Sequence, residues 1–197
     1  MKPIIGIISR EYHSATNKKI NTIYNDIISS VIKSKGIPIG IPYNEDITKY
    51  LNICNGFILQ GGDDINKHNL KTIKILKEKN IPTLGICLGM QEMFYKNNLI
   101  DIDNHNINSL HEIKIIKDTL LYKILKKDKI LVNSRHKSAI KQTNYKVSSI
   151  SNNNIIESIE DPSQKFFLGI QWHPENLYKI DSNSRKIFDY FIKICNN

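Results

Sequence analysis

Three short stretches carry residues whose types and spacing suit covalent catalysis. Gly85-Ile86-Cys87-Leu88-Gly89 joins an apolar run to a segment with helical periodicity. A G-x-C-x-G between a strand and a helix has the logic of the serine nucleophile elbow, with sulfur replacing oxygen. The glycines permit a tight turn that lifts the nucleophile clear of the sheet edge, and a Cβ at either position would collide. The helix beginning near Leu88 offers free N–H groups and the positive end of its dipole, which favour a thiolate. The Leu88 N–H is also placed to bind a developing oxyanion. Read alone, the same spacing fits a buried structural cysteine that follows a strand.

A nucleophilic thiol needs a base, and the base needs a group that holds its tautomer. Gln171-Trp172-His173-Pro174-Glu175 follows the apolar run Phe167-Leu168-Gly169-Ile170. In an extended chain, residues two apart face the same way, so His173 and Glu175 are expected to project together. Pro174 biases His173 towards the extended region. Glu175 can then take one ring nitrogen and leave the other for Cys87. Read alone, this stretch fits a His-Pro turn beside an exposed carboxylate equally well. Gln60-Gly61-Gly62-Asp63-Asp64 ends another apolar run. Its glycines let backbone N–H groups approach a substrate carbonyl, which suits a second oxyanion donor, although an ordinary glycine turn has the same sequence. The chain contains no G-x-x-x-x-G-K-[ST] phosphate loop.

The other candidates are weaker. His136, in Asn133-Ser134-Arg135-His136-Lys137-Ser138, sits in a polar loop that could line a substrate site. His13, His68 and His105 fall in polar loops and are expected to face solvent, and His111 precedes a strand. No His spacing matches a zinc pattern, so no metal is expected. Cys54 and Cys195 lie in apolar helical patterns and read as core.

The elements that must position these residues follow from periodicity. Strands are expected over Pro3–Ser9, Ile37–Ile41, Gly56–Leu59 and Pro82–Ile86, with helices over Ile20–Lys35, Leu70–Glu78 and Leu88–Tyr95. One or two helical turns are expected over Ile47–Cys54. This alternation implies a parallel sheet with helices on both faces. Glu112–Lys117, Lys129–Asn133, Tyr145–Ile150, Asn154–Glu160 and Phe166–Gln171 read as further strands, some of them antiparallel or in a small added sheet. A last helix over Ser182–Ile194 has Asp181 or Ser182 as its cap. The Asn-rich stretches Asn104–Ser109 and Ser151–Asn154 read as loops within a single domain spanning residues 1–197.

Composition sets the outer limits. The 197 residues are 40% hydrophobic and 24% charged, which suits one globular domain rather than a disordered or fibrous chain. No apolar run approaches the ~20 residues of a membrane span. The N-terminus lacks the pattern of a signal peptide, and the three cysteines form no CxxC pair, so a cytoplasmic location is expected. The charge of +9 comes from 28 basic and 19 acidic residues. The lysines are scattered through an Ile-, Asn- and Lys-rich chain, so they read as solvated surface and not as a nucleic-acid site.

In this order, Gln60-Gly61-Gly62-Asp63, Pro82-Thr83-Leu84-Gly85-Ile86-Cys87-Leu88-Gly89-Met90-Gln91 and Gly169-Ile170-Gln171-Trp172-His173-Pro174-Glu175 resemble the class I glutamine amidotransferase superfamily. Val132-Asn133-Ser134-Arg135-His136-Lys137-Ser138-Ala139 and the Lys2–Ile7 start are similar to the γ-glutamyl-γ-aminobutyrate hydrolase family. The resemblance implies an α/β, flavodoxin-like three-layer fold with a mainly parallel central sheet and a small antiparallel addition. It implies a Cys87-His173-Glu175 triad, an oxyanion hole at Gly62 and Leu88, and a γ-glutamyl thioester intermediate. Gly61, Gln91, Asn133, Ser134, Arg135 and His136 would line the substrate, with Arg135 suited to a carboxylate. The implied activity is hydrolysis of γ-glutamyl amides without a cofactor. The alternative is a glutaminase subunit that feeds ammonia to a separate synthetase. A homodimer is the family-based expectation. The chain departs from the subfamily in its short Gly62–Cys87 interval, in Tyr95-Lys96-Asn97-Asn98 where a Gly-Gly pair is usual, and in Arg135-His136-Lys137.

Overall fold

The computed structural model describes residues 1–96, 98–102 and 110–196. Strand β1 (Ile4–Ile8) leads into a hairpin, β2 (Arg10–His13) and β3 (Lys19–Thr22), and then helix α1 (Asn25–Lys33). There follow β4 (Ile37–Ile41), a 3-10 turn (Ile47–Tyr50), β5 (Gly56–Leu59), α2 (Lys67–Glu78), β6 (Thr83–Ile86) and α3 (Leu88–Met93). The second half holds β7 (Leu99–Asp101), β8 (Leu110–Ile115), α4 (Leu120–Leu125), β9 (Lys129–Asn133) and β10 (Ser138–Ile140). It ends with β11 (Lys146–Ser151), β12 (Ile156–Glu160), β13 (Phe167–Ile170), α5 (Pro174–Leu177) and α6 (Ser182–Cys195).

Nine strands form one sheet in the order β4-β1-β5-β6-β13-β12-β11-β8-β9. The five from β4 to β13 run parallel, and from β13 onward every neighbour is antiparallel. The expected α/β three-layer class therefore holds. Its antiparallel part is an extension of the main sheet itself, with β7 and β10 as a separate pair. Strand alternation divides the core between the two faces. Ile58, Leu84, Ile86 and Leu168 meet Val31 of α1 and Phe188 and Phe191 of α6. Phe57, Leu59 and Phe167 meet Leu76 of α2 and Met90 and Met93 of α3. Helix α6 starts at its expected cap, where Asp181 accepts from the N–H groups of Asn183 and Ser184.

One local expectation is corrected and one helix is added. The helix expected from Ile20 begins at Asn25, because Ile20 pairs with Tyr12 in the hairpin and is partly exposed. Its spacing to Ile23 and Tyr24 imitates a helical stripe, while Asn17, at φ 57°, makes the hairpin turn. Helix α4 lies between the strands expected over Glu112–Lys117 and Lys129–Asn133, in a stretch for which no element was named. Thr119 caps it by accepting from Tyr122 N, and Leu121, Ile124 and Leu125 bury its apolar face. The expected loop Asn104–Ser109 lies outside the described residues.

Candidate active site

Glycine loop, cysteine and histidine leave the carboxyl ends of three adjacent parallel strands, β5, β6 and β13. The carboxyl edge of such a sheet is where open α/β folds bind ligands. Strand order thus brings together residues that lie 84 apart in sequence, as Cys87 and Gln171 do.

Cys87 sits at φ 54° and ψ −111°, outside the left-handed well that a non-glycine residue tolerates best. It is held there from both sides. Its N–H donates to Ile170 O at 2.7 Å, and its carbonyl accepts from Gln91 N at 3.2 Å. The flanking glycines have negative φ and are needed for space instead. A Cβ at Gly85 would meet Met93 Sδ at 2.4 Å, and one at Gly89 would meet Leu59 O at 2.1 Å. The strain therefore falls on the cysteine itself, while the glycines let α3 pack directly onto the sheet. Gln171, fully buried, places its side-chain Nε2 3.8 Å from the sulfur.

His173 is not in an extended segment, and this corrects the expected route to its pairing with Glu175. It is the N-cap of α5, with Pro174 as the first helical residue, a position that suits proline's fixed φ and missing N–H. The first helical turn brings Glu175 back, and its Oε1 lies 2.7 Å from His173 Nδ1. The other ring nitrogen is left for the Cys87 thiol, and both side chains border the smaller cavity. Burial opposes protonation of the ring, but hydrogen bonds to Cys87 and Glu175 and their charges outweigh it, raising His173 to about 10. The second Glu175 oxygen, Oε2, is buried with no hydrogen-bond partner.

Asn133, expected to hold substrate, clamps the histidine. Its Oδ1 accepts from His173 N at 2.9 Å and its Nδ2 donates to His173 O at 3.1 Å. Gln91 lines the cavity, but its Nε2 donates to Ser138 O at 2.8 Å and to Gln171 Oε1 at 3.1 Å. Ser134 is buried, whereas Arg135 is exposed and borders the site. His136 is buried, with Nδ1 3.0 Å from Ser138 O, and its ring lines the same cavity. A Cβ at Gly61 would lie 3.1 Å from His173 Cε1 and 3.6 Å from Cys87 Cβ. One at Gly62 would lie 3.1 Å from Leu88 Cδ2, so the two expected oxyanion residues are neighbours.

Two lobes open from the sulfur. The larger, about 700 Å³, runs past Gln91, Arg135, His136 and Lys137. The smaller, about 240 Å³, runs past Tyr24, His173, Glu175 and Asn176. Gly62, Asp63, Cys87 and Arg135 border both. Burial and a hydrogen bond to Tyr12 push the Tyr24 phenol above its ordinary pKa, so it keeps its proton.

The remaining candidates stay apart from this site. Burial pushes the thiols of Cys54 and Cys195 up to about 11 and about 12, as expected of inert core cysteines. His68 is half-buried on α2 instead of free in a loop, its Nε2 2.7 Å from Glu45 O. His13 is exposed on β2, and His111 lies within β8, 3.1 Å from buried Glu157. His105 lies outside the described residues. Among those residues no cluster of His, Cys, Asp or Glu could hold a metal ion, and no helix is long and apolar enough to cross a membrane. Periodicity gave no sign of Arg10, Glu92 or Gln171. Arg10 and Glu92 form a buried ion pair at 2.9 Å under the glycine loop. A lone arginine just after an apolar strand, and a glutamate inside an apolar helix, were their only signal.

The Peptidase C26 family profile matches residues 3–77 and 66–175. Protein NtpR of Enterococcus hirae is 28% identical, over 98% of this chain and 99% of its own length. The glutamine amidotransferase-like protein YvdE of Lactococcus lactis is 24% identical, over 95% of this chain and 97% of its own. CTP synthase of Borreliella afzelii is 31% identical over 72% of this chain, a match to 35% of the synthase. Among solved structures, a GMP synthase subunit of Thermoplasma acidophilum gives a TM-score of 0.74 at 18% identity, covering 98% of this chain and 94% of its own. The CTPS glutaminase domain of Trypanosoma brucei, solved with bound acivicin, gives 0.72 at 16% identity with the same coverage. At these identities the likeness bears on the fold, an α/β sheet flanked by helices that this chain shares with both structures.

Proposed function

Because the chain belongs to the Peptidase C26 family, within the glutamine amidotransferase-like class I superfamily, we propose that it hydrolyses γ-glutamyl amides through a γ-glutamyl thioester on Cys87. The observation that carries this reading is the meeting of a strained elbow cysteine and His173 beside Gly61, with Glu175 2.7 Å from the histidine. His173 Nε2 takes the Cys87 thiol proton as Sγ attacks the amide carbonyl, and the C=O π electrons move onto oxygen. The N–H groups of Gly62 and Leu88 receive that oxyanion, a contribution of about 3 kcal/mol per donor in comparable sites. His173 Nε2 protonates the departing amine as the tetrahedral species collapses to the thioester. The same nitrogen then takes a proton from water, whose oxygen displaces sulfur and releases glutamate. Glu175 holds the tautomer that presents Nε2 to the sulfur and stabilises the imidazolium. Arg135 supplies a planar, bidentate partner for the glutamyl carboxylate.

A second reading is favoured by the CTP synthase and GMP synthase relatives. In it the chain is a glutaminase that delivers ammonia to a separate synthetase by the same chemistry. Glutamate release from purified protein separates the two, with glutamine compared against a panel of γ-glutamyl amides that includes γ-glutamyl-γ-aminobutyrate. The Cys87→Ala variant is the blank. Turnover of one γ-glutamyl amide with little glutamine activity is the expected result. Activity confined to glutamine, or seen only with a synthetase present, moves the assignment to the ammonia donor. No Cys87-dependent release from any of these sinks both readings.

A further inference from the structure

Arg10 stands at the carboxyl end of β1, next to β5 in the sheet, with its side chain almost fully buried. Its Nη2 donates to Gln60 O at 2.7 Å and its Nε to Gly61 O at 3.2 Å. The same guanidinium is bidentate on Glu92, Nη1 to Oε1 and Nη2 to Oε2, both at 2.9 Å. Glu92 lies on α3, one turn beyond Cys87, and is fully occupied: Asn66 N donates to Oε1 and Asn69 Nδ2 to Oε2, each at 3.0 Å.

A buried ion pair is a poor source of stability, since desolvation offsets most of its Coulomb energy. Its geometry here has a definite consequence. A trans peptide is planar, so its carbonyl and its N–H point in opposite directions. With the Gln60 and Gly61 carbonyls both drawn onto Arg10, the N–H groups of Gly61 and Gly62 must point away from it. Gly62 borders the cavity that Cys87 lines, and a Cβ at Gly61 would lie 3.6 Å from Cys87 Cβ. The pair also ties the glycine loop to the helix that carries Leu88.

We infer that Arg10 is the positioning residue for the glycine-loop half of the oxyanion hole, turning the Gly62 N–H towards the cavity beside Cys87, with Glu92 keying that loop to the elbow helix that carries Leu88. This rests on the γ-glutamyl amide reading for its catalytic meaning, but the aim of the loop can be measured without it. Arg10→Lys keeps the charge and removes the fork that holds two carbonyls. Arg10→Met/Glu92→Met removes both charges together, so that no unpaired ion is left inside if the single variant does not fold. For each, kcat and KM on the best γ-glutamyl amide are measured beside the rate of Cys87 alkylation by iodoacetamide, which needs no oxyanion hole. Hydrogen exchange of the 60–64 segment is followed as well.

The expected result is a kcat lower by about 10²-fold, the usual effect of losing one oxyanion donor. KM should stay within about threefold and alkylation within about twofold, with exchange in the 60–64 segment at least about tenfold faster. A kcat loss matched by an equal loss of alkylation overturns the inference, because the elbow as a whole would then have moved. So does unchanged exchange in the loop. If the wild-type protein cleaves no γ-glutamyl amide, the functional reading fails, and exchange measured beside alkylation still decides the aim of the loop.

Discussion

Replacing Gly89 by alanine tests whether the elbow owes its placement to direct contact between α3 and the sheet. The added Cβ would stand 2.1 Å from Leu59 O, against a floor of 3.0 Å that real Cβ atoms hardly breach. The obstacle is backbone in the middle of a nine-stranded sheet, so α3 must withdraw by about 0.9 Å, the difference between those distances. Leu59 ends the strand that feeds the glycine loop, and Leu88 begins α3. The shift therefore separates the two proposed oxyanion donors and moves Cys87 away from His173. Overpacking of this kind costs about 1–3 kcal/mol. For a chain of this length that is a melting temperature lower by roughly 2–12 °C. A misplacement near 1 Å costs about 10²-fold in rate. The assays are thermal unfolding and glutamate release on the best γ-glutamyl amide. Gly40→Ala is the control, since its Cβ would meet only Ile23 Cδ1, the movable tip of a side chain, at 2.8 Å. It should melt and turn over close to the wild type. A Gly89→Ala protein with wild-type kcat and melting temperature would refute the packing argument, as would a control that fails equally.

Two further outcomes follow from the site. Cys87→Gly should be inactive yet melt about 2–4 °C above Cys87→Ala, because glycine relieves a backbone strain of about 1–3 kcal/mol that alanine retains, less its own greater chain entropy; equal melting temperatures would mean the elbow is unstrained. His173, raised to about 10 in the folded chain from an ordinary value near 6.5, binds its proton more tightly folded than unfolded. Its contribution to stability is therefore complete below about pH 6.5 and lost as the pH climbs towards 10. Urea unfolding should show wild type exceeding His173→Gln by more at pH 6 than at pH 10, and a constant difference would contradict the proposed charge interactions.

Much of the parallel half was legible because strands buried on both faces read as unbroken β-branched runs, as Ile4–Ile8 and Gly56–Leu59 do. The cysteine, histidine and glutamate were legible because each lies just past such a run. What periodicity missed was set by contacts between distant segments. Ile20 imitated a helix while pairing with Tyr12 across a hairpin, and α4 was too short to show a repeat. Asn133 entered through the resemblance alone, and nothing in its local sequence points to the partner it has, the backbone of His173. Arg10 shows the same limit. Its acceptors lie 50, 51 and 82 residues away, beyond any local pattern.

The place of β13 in the sheet has a consequence for synthesis. It is the strand where parallel pairing gives way to antiparallel, and it sits between β6 and β12 near the sheet's middle although it is made last of all the strands. Until it emerges from the ribosome, β6 has a bare edge and Cys87 N lacks its acceptor at Ile170. A nascent chain, or one cut before Phe167, thus carries the thiol without the imidazole beside it. The sheet must close across a long sequence separation before the two side chains meet, a slow pairing by the ordinary rules of topology. Translation order thus keeps Cys87 apart from His173 until the last strand takes its place in the sheet.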